Sequence, residues 1–533
     1  MTTRFDVTRP PDSVVLVAGD RTRTMAASSE TEWTDGDVTV RCSPSGGALA
    51  VTLEAAQSPV IRLRLNWRQN AVTGARYLGD HWERGYGDLE WRGMVPERVM
   101  PWYFLAHAAG RTYGCGVKTG ANSLCSWTVD DCGISLWIDV RSGGSPVKLG
   151  DRVLHAADVV AMAGNEGESA YAFACRFCAV MCPAPLLPAE PVYGGNNWYY
   201  AYGNSSHAEI LADSKLVAGL APATGPRPFM VIDDGWQTAG YCCGGGPWEK
   251  GNEKFPDMPG LAAQMKAIGV RPGIWARPTL THADLPKELV LYQFDNEAQG
   301  AKVLDPTHPD ALAIVKEDCR RIASWGYELL KFDFSTYDIL RRWGFAMGSS
   351  ITPDGWTFHD PSKTTAEAIL GLYRTIREGS GDMLLIGCNT IGHLAAGIVE
   401  IQRTGDDTSG RQWERTRKMG VNTLAFRMPQ HNTFFAADAD CVGITRDLPW
   451  DLNKRWLDLL AGSGTPLFVS AAPDAVTPEI QSALRKAFAI ASKPQPAAEP
   501  LDWMETTCPR TWRFGYTERS FTWSDSKCGD LST

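Results

Sequence analysis

The chain has no run of about 18 apolar residues, so no membrane-spanning helix is expected. Its opening, Met1-Thr2-Thr3-Arg4-Phe5-Asp6, holds no apolar core, so no secretory leader is expected either. The 14 cysteines are scattered and several lie in apolar segments. Reduced thiols in a cytoplasm are therefore the expectation, in place of a disulfide framework. His282, His359, His393 and His431 show neither H-x-H nor H-E-x-x-H spacing, so no metal centre is expected. Gly244-Gly245-Gly246 is not followed by Lys-Ser/Thr and a helix, and no G-x-S-x-G elbow occurs, which removes a phosphate loop and a serine-hydrolase elbow. Positive charge is not in surplus: the net charge is −9, which argues against nucleic acid and anionic membranes as partners. No cofactor is implied.

What the chain does have is the balance of a globular protein, 44% hydrophobic and 21% charged residues. Its 533 residues suggest two to four domains. Residues 1–165 alternate in short β runs, such as 37–41, 60–65 and 134–140, with Gly, Asp and Ser between them, the pattern of an antiparallel sandwich. One long polar-aromatic loop, 77–91 (YLGDHWERGYGDLEW), interrupts the pattern, and loops of this length are often functional. Residues 168–182 predict a helix ending at Pro183. Its Cys175, Cys178 and Cys182 have a C-x2-C-x3-C-P spacing, but a nearby fourth ligand is lacking and the spacing also fits one apolar helix face. The stretch 166–191 thus reads as a linking helix and a proline-rich linker.

From 192 to 494 strands and helices alternate. Strands are predicted at 192–199, 228–233, 270–275, 329–334, 383–387, 399–403, 433–437 and 466–470. Helices are predicted at 207–220, 260–269, 308–326, 363–378, 413–427, 449–462 and 477–492. Eight strands with helices between or after them predict a (β/α)8 barrel. Residues 495–533 hold short β-like runs and predict a small C-terminal β region.

In such a barrel the C-terminal strand ends meet in one pocket. Here they read Asp233-Asp234-Gly235-Trp236, Trp275-Ala276-Arg277, Lys331-Phe332-Asp333, Cys388-Asn389, Arg403-Thr404-Gly405-Asp406-Asp407 and Asp438-Ala439-Asp440. Period-2 alternation puts Lys331 and Asp333 on one face, with the lysine expected to lower the aspartate's pKa. A structural ion pair capping the strand is the plain alternative, and Asp233-Asp234 alone would also suit a helix N-cap. Paired carboxylates among aromatic side chains suit glycosyl transfer, in which one carboxylate attacks or supports an oxocarbenium-like centre and another protonates the leaving oxygen. Asp333 is the natural nucleophile, and Asp406 or Asp407 is placed to be the acid.

The motifs IDDGW (232–236), KFP (254–256), GVRPGIW (269–275), LLKFDF (329–334), GCN (387–389) and RTGDD (403–407) occur in the order and spacing of glycoside hydrolase family 36. The chain resembles that family, the α-galactosidases and relatives related to family 27, over nearly its whole length and most specifically between 192 and 442. The resemblance implies a retaining exo-acting hydrolase of terminal α-galactosides, with an oligosaccharide or glycoside as partner and a homo-oligomer as one possible state. It assigns Asp333 as nucleophile and Asp407 as acid/base. It gives Asp233 and Asp234 the sugar 4- and 6-hydroxyls, Lys331 ring hydroxyls, and Arg403 and Cys388 the 2-position. Trp198, Trp236, Trp275 and Asn389 would line or bind in the pocket, and Trp82 would be inserted from the N-terminal domain. Other outcomes on the same fold are α-N-acetylgalactosaminidase, β-L-arabinopyranosidase or galactosyl transfer. A sugar-binding protein without catalysis is the alternative of another class. NNWYYAY (196–202), Arg277 and the turn 241–246 depart from the family pattern, with Arg277 expected near the pocket.

Overall fold

The computed structural model describes residues 5–70, 72–238, 244–293 and 300–524. The expected positions 241–243 lie outside these residues, as does the chain after 524. The first part folds as two antiparallel sheets. One has six strands, with Arg62–Arg68, Gly133–Asp139 and Leu124–Asp130 at its middle; the other has eight, centred on Ala48–Ala55, Gly150–Ala163 and Arg111–Val117. Alternation decides which side chains meet. Leu63 and Leu65 point inward while Arg62 and Arg64 point out, and register pairs Arg64 with Trp137 on the outer face. Phe104 of one sheet meets Trp127 of the other edge-on at 5.7 Å, so the two inner faces form a sandwich core.

The linking helix is Ala170–Met181, capped by Ser169, whose side chain accepts from the Ala172 amide. It packs on the Arg111–Val117 strand through Phe177 and Met181. A Cβ at Gly114 would lie 2.6 Å from Phe177 and one at Gly116 would lie 2.7 Å from Met181 Sδ, so only glycine allows the helix this close. Cys178 is buried in this contact and Cys175 only partly, which is the helix-face reading of the cysteine spacing.

The parallel strands Tyr193–Asn196, Phe229–Ile232, Arg271–Ala276, Leu329–Phe332, Leu384–Gly387, Ile401–Arg403, Ala436–Asp438 and Leu467–Ala471 occur at the eight predicted places. The seventh differs from expectation: it is split. Ala436–Asp438 pairs with Ile401–Arg403, whereas Cys441–Ile444 pairs with Leu467–Ala471. The bend between them, at Ala439-Asp440, closes the ring through the chain itself. The first strand also stops early, because Trp198–Ala201 winds into a helical turn. The predicted helix 413–427 contains a π segment, Arg417–Asn422. A small antiparallel sheet, Leu280–Thr281, Val290–Gln293 and Lys302–Leu304, was not anticipated; its strands are too short for periodicity to show. The surrounding helices start on side-chain caps, such as Ser206, Asp257 and the Thr364/Glu367 capping box. A final antiparallel sheet joins Glu499–Pro500, Thr511–Phe514 and Thr517–Ser520.

Sandwich and barrel share a buried contact at His393. Its ring stacks on Trp102 at 4.8 Å, its Nε2 lies 2.9 Å from the Val117 carbonyl, and its own carbonyl accepts from the Gly120 amide. Burial lowers its pKa from 6.5 to about 4. The unfolded chain therefore takes up this proton at higher pH than the folded one. The contribution is complete above pH 6.5 and is lost progressively as pH falls toward about 4. Denaturant unfolding measured across that window should show a shallower decline in His393→Gln than in the parent; equal slopes would contradict the assignment.

Candidate active site

The pocket forms at the C-terminal ends of the barrel strands, and its cavity of about 90 Å³ is lined by Arg84, Trp198, Asp233, Asp234, Trp275, Lys331, Asp333, Phe334, Trp343 and Asp407. Asp333 stands one residue beyond its strand. Its Oδ1 accepts from the amides of Phe334 at 2.7 Å and Asn389 at 3.1 Å, and its Oδ2 accepts from Trp275 Nε1 at 3.2 Å. Phe334 adopts φ 61°, a left-handed conformation that bends the chain around the carboxylate. Three N–H donors thus hold one carboxylate in one orientation.

Lys331 and Asp333 share the pocket, as alternation predicts, but the lysine's ion pair is with a different aspartate. Lys331 Nζ donates to Asp233 Oδ2 at 2.7 Å, and Asn196 Nδ2 donates to the same oxygen at 2.7 Å. Burial alone would lower the pKa of Lys331, yet Asp233 outweighs it and keeps the ammonium charged well above its ordinary range. The Asp233 amide donates to Asn197 Oδ1 at 2.8 Å, and Gln237 Nε2 donates to Asp234 Oδ1 at 2.5 Å. Asn196 and Asn197 belong to the stretch that departs from the family pattern. Their side-chain amides orient Asp233, a role that the sequence reading missed.

Across the pocket Asp407 accepts from Arg403 Nη2 at 3.2 Å and faces Arg84 Nη1 at 3.9 Å. Arg403 also pairs with Asp440 at 3.0 Å. Burial would raise the Asp407 carboxyl, but Arg403, Arg84 and Lys331 prevail and hold it below its ordinary range in the pocket without substrate. Arg403 and Cys388 lie behind the pocket wall. Both are buried, and Arg403 Nη1 approaches Cys388 Sγ at 3.4 Å. Asn389 is buried too, with its Nδ2 donating to Glu83 and its amide to Asp333.

Arg403, Cys388 and Asn389, expected at the sugar, thus stand outside the cavity lining, and three further expectations of position change. Trp236 does not line the cavity; it is fully buried behind Trp275, donates from Nε1 to the Trp275 carbonyl at 2.9 Å, and packs on Trp248 and Trp325. Trp82 is not inserted into this pocket. It turns away to pack on Trp102 and to donate from Nε1 to Gly348 O at 3.0 Å. Arg277 is not at the pocket wall, because Asp338 holds it through Nε at 3.1 and 3.0 Å while its guanidinium lies over Phe334 at 4.2 Å. The side chain that the N-terminal part sends into the pocket is Arg84, two residues after Trp82. The long loop 77–91 was the only signal for it, and loop sequence does not say which side chain faces inward.

That loop is fastened to the barrel rim. Gly85 and Asp406 exchange backbone hydrogen bonds with the strand end, from Gly85 N to Thr404 O at 2.8 Å and from Asp406 N to Gly85 O at 2.9 Å. Arg427 donates to Asp80 and to the Glu83 carbonyl, and Asn422 bonds both backbone groups of Leu89. Glu83 accepts from Tyr86, the Gly344 amide and Asn389. A larger cavity, about 290 Å³, lies on the outer sandwich face at Arg62, Arg64, Trp137 and Asp139. Its two arginines pair with its aspartates, Arg62 with Asp139 at 3.0 Å and Arg64 with Asp130 at 4.0 Å, and none of the barrel-strand aspartates reaches it.

No family model matches the chain. Solved structures do share its fold. The α-galactosidase TtGalA from Thermus thermophilus, in complex with p-nitrophenyl α-D-galactopyranoside, superposes with a TM-score of 0.61 at 17% identity over 95% of this chain and 98% of its own. A variant of the family 36 α-galactosidase AgaA from Geobacillus stearothermophilus, in complex with raffinose, gives 0.58 at 15% identity over 90% of this chain and 73% of its own. The α-galactosidase from Lactobacillus brevis gives 0.57 at 13% identity over 90% and 70%. The chain therefore has the fold of family 36 α-galactosidases: sandwich, barrel and small C-terminal sheet.

The burial of Arg277 against Asp338 makes a structural role testable. Arg277→Met leaves the Asp338 carboxylate buried without its cation and should cost roughly 3–5 kcal/mol of stability in denaturant unfolding. A stable variant with altered sugar preference would instead place Arg277 in recognition.

Proposed function

We propose that the chain is a retaining, exo-acting glycoside hydrolase that releases terminal α-linked galactose. The observation that carries this reading is one pocket in which two carboxylates, Asp333 and Asp407, are presented from different strand ends, beside the Asp233, Asp234 and Lys331 cluster. The shared fold with α-galactosidases, whose structures include complexes with p-nitrophenyl α-D-galactopyranoside and raffinose, supports it.

Asp333 attacks the anomeric carbon as the bond to the departing oxygen breaks, giving a glycosyl-enzyme ester. Asp407 serves the departing oxygen as acid and afterwards takes a proton from the water that cleaves the ester. The hydrogen bonds to Asp333 hold one lone pair toward the substrate, which shortens the search for an attack geometry. Asp233, Asp234 and Lys331 supply acceptors and a donor for sugar hydroxyls, and Trp198, Trp275 and Trp343 supply apolar walls. Cys388 is buried under Arg403 and does not line the cavity, so the geometry gives no particular support to a 2-acetamido sugar.

Wild type should hydrolyse p-nitrophenyl α-D-galactopyranoside with inversion at the anomeric carbon in each of two steps and net retention, so that α-galactose is the first product by NMR. Asp333→Ala should abolish detectable turnover, and azide should restore it with formation of β-galactosyl azide. Asp407→Ala should lose about 10²–10⁴-fold in rate. Binding of galactosides without turnover by wild type would instead identify a sugar-binding protein.

A further inference from the structure

The cavity of the candidate site has two unlike ends. Asp233, Asp234 and Lys331 form one, and the side chains of Asp233 and Lys331 are only 4% and 10% exposed. Asp333 and Asp407 form the other, and the Asp407 side chain is 38% exposed. Solvent therefore reaches the pocket at its carboxylate end. Trp343 stands at that end. Its ring meets Phe334, which wraps Asp333, at 5.5 Å, and Arg84, which faces Asp407, places its Cζ 5.3 Å from the ring centroid.

Beyond Trp343 the chain makes the short turn Gly344–Ala346 and presents Phe345, which is 67% exposed. Among the described residues no other phenylalanine or tryptophan is as exposed. The segment that carries it is pinned on both sides. The Gly344 amide donates to Glu83 Oε1 at 2.8 Å, and Arg342 Nη1 donates to the Ser350 carbonyl at 2.6 Å. Trp82 Nε1 and Arg62 Nη2 donate to the carbonyls of Gly348 and Ser349 at 3.0 and 2.9 Å. Tyr86 braces the phenyl ring from the sandwich loop, with centroids 5.1 Å apart and planes at 81°. A ring held in place in advance loses little freedom when something binds on it. Its chain neighbours Ala346, Gly348, Ser349 and Ser350 are small or polar. Phe345 is thus one aromatic platform and not the contiguous apolar patch that a protein partner would need.

We propose that Phe345 is a specificity-determining residue that carries the departing part of the substrate, a second pyranose ring joined to galactose through the oxygen that Asp407 serves. The inference rests on the glycosidase reading above and deepens it by naming the class of leaving group. A pyranose suits the platform because one face of its ring carries C–H groups while its hydroxyls project at the rim and stay in water. A single exposed phenyl ring matches that apolar face and leaves the rim free. Phe345 makes and breaks no bond. It holds the departing ring at the carboxylate end, so that the glycosidic oxygen lies toward Asp407 while Asp233, Asp234 and Lys331 hold the galactose.

The test compares α-D-galactopyranosyl-glucoses linked 1→3, 1→4 and 1→6 with methyl α-D-galactopyranoside, following galactose release. Both kinds of substrate release an aliphatic alcohol, so the ratio of their kcat/KM values reports the second ring and not the acidity of the leaving group. The preparations are wild type, Phe345→Ala and Phe345→Trp, each checked by thermal melting and by light scattering. In wild type the best disaccharide should exceed the methyl glycoside by about tenfold or more in kcat/KM. Phe345→Ala should lower that ratio about five- to tenfold, chiefly through KM, which is the scale of one aromatic contact. Phe345→Trp keeps an aromatic face and should preserve the preference. A wild-type ratio near one for every linkage overturns the proposal even if no variant folds. So does Phe345→Ala that leaves the ratio unmoved, whether or not it slows both kinds of substrate. A wild-type oligomer that Phe345→Ala dissociates assigns the ring to a contact between copies of the chain and likewise overturns it. Absence of turnover on every α-galactoside overturns the galactosidase reading together with the proposal, whereas turnover with a ratio near one overturns the proposal alone.

Discussion

The bend at Ala439-Asp440 is the constraint on which the barrel and its pocket depend. A parallel ring closes only if its last strands find hydrogen-bonding partners on both sides. Here the seventh strand does this in two pieces, one bonded to each neighbour. Asp440 takes φ 72°, an uncommon conformation for a residue with a side chain. Its carboxylate is also heavily engaged: it accepts from the Thr408 amide and hydroxyl, both at 2.8 Å, and from Tyr199, and pairs with Arg403. The group that pins the bend therefore also aims the arginine that holds Asp407. Ring closure and site electrostatics are one arrangement.

The second dependence runs between the two large parts of the chain. The barrel alone would leave the rim at Thr404–Asp407 open. The sandwich loop closes it with backbone hydrogen bonds at Gly85 and with a buried carboxylate, Glu83. Burial pushes Glu83 above the usual carboxylate range, while Arg84, Tyr86 and the Gly344 amide work against that rise. Gly344 has no room for a side chain, since a Cβ there would lie 2.4 Å from Glu83 Cγ. The segment that carries Trp343 to the pocket is thus seated on the loop that carries Arg84. Polar groups removed from water must be matched, and here they are matched across the junction, which makes the junction part of the site.

The site's charges are also divided by position. Asp233 is locked to Lys331 and two asparagine side chains, Asp333 to N–H donors, and Asp407 to arginines. One acidic pocket thereby holds carboxylates in three different electrostatic settings, which is the condition for giving them different chemical tasks.

The amino-acid sequence by itself determined the architecture: alternation at period two in the first part, strands alternating with capped helices in the second, and carboxylates at successive strand ends. These are local patterns, and local patterns are legible because the chain's own geometry produces them. Lys331 and Asp333 on one face follow from the same rule. Tertiary structure alone decided the pairings. That Lys331 binds Asp233 and not Asp333, that Arg277 is spent on Asp338, that Trp82 turns away and Arg84 turns in, and that the seventh strand breaks at Asp440 all depend on side chains far apart in the chain. Each outcome is set by which buried charge finds which partner, and that competition is settled only when the whole interior is assembled.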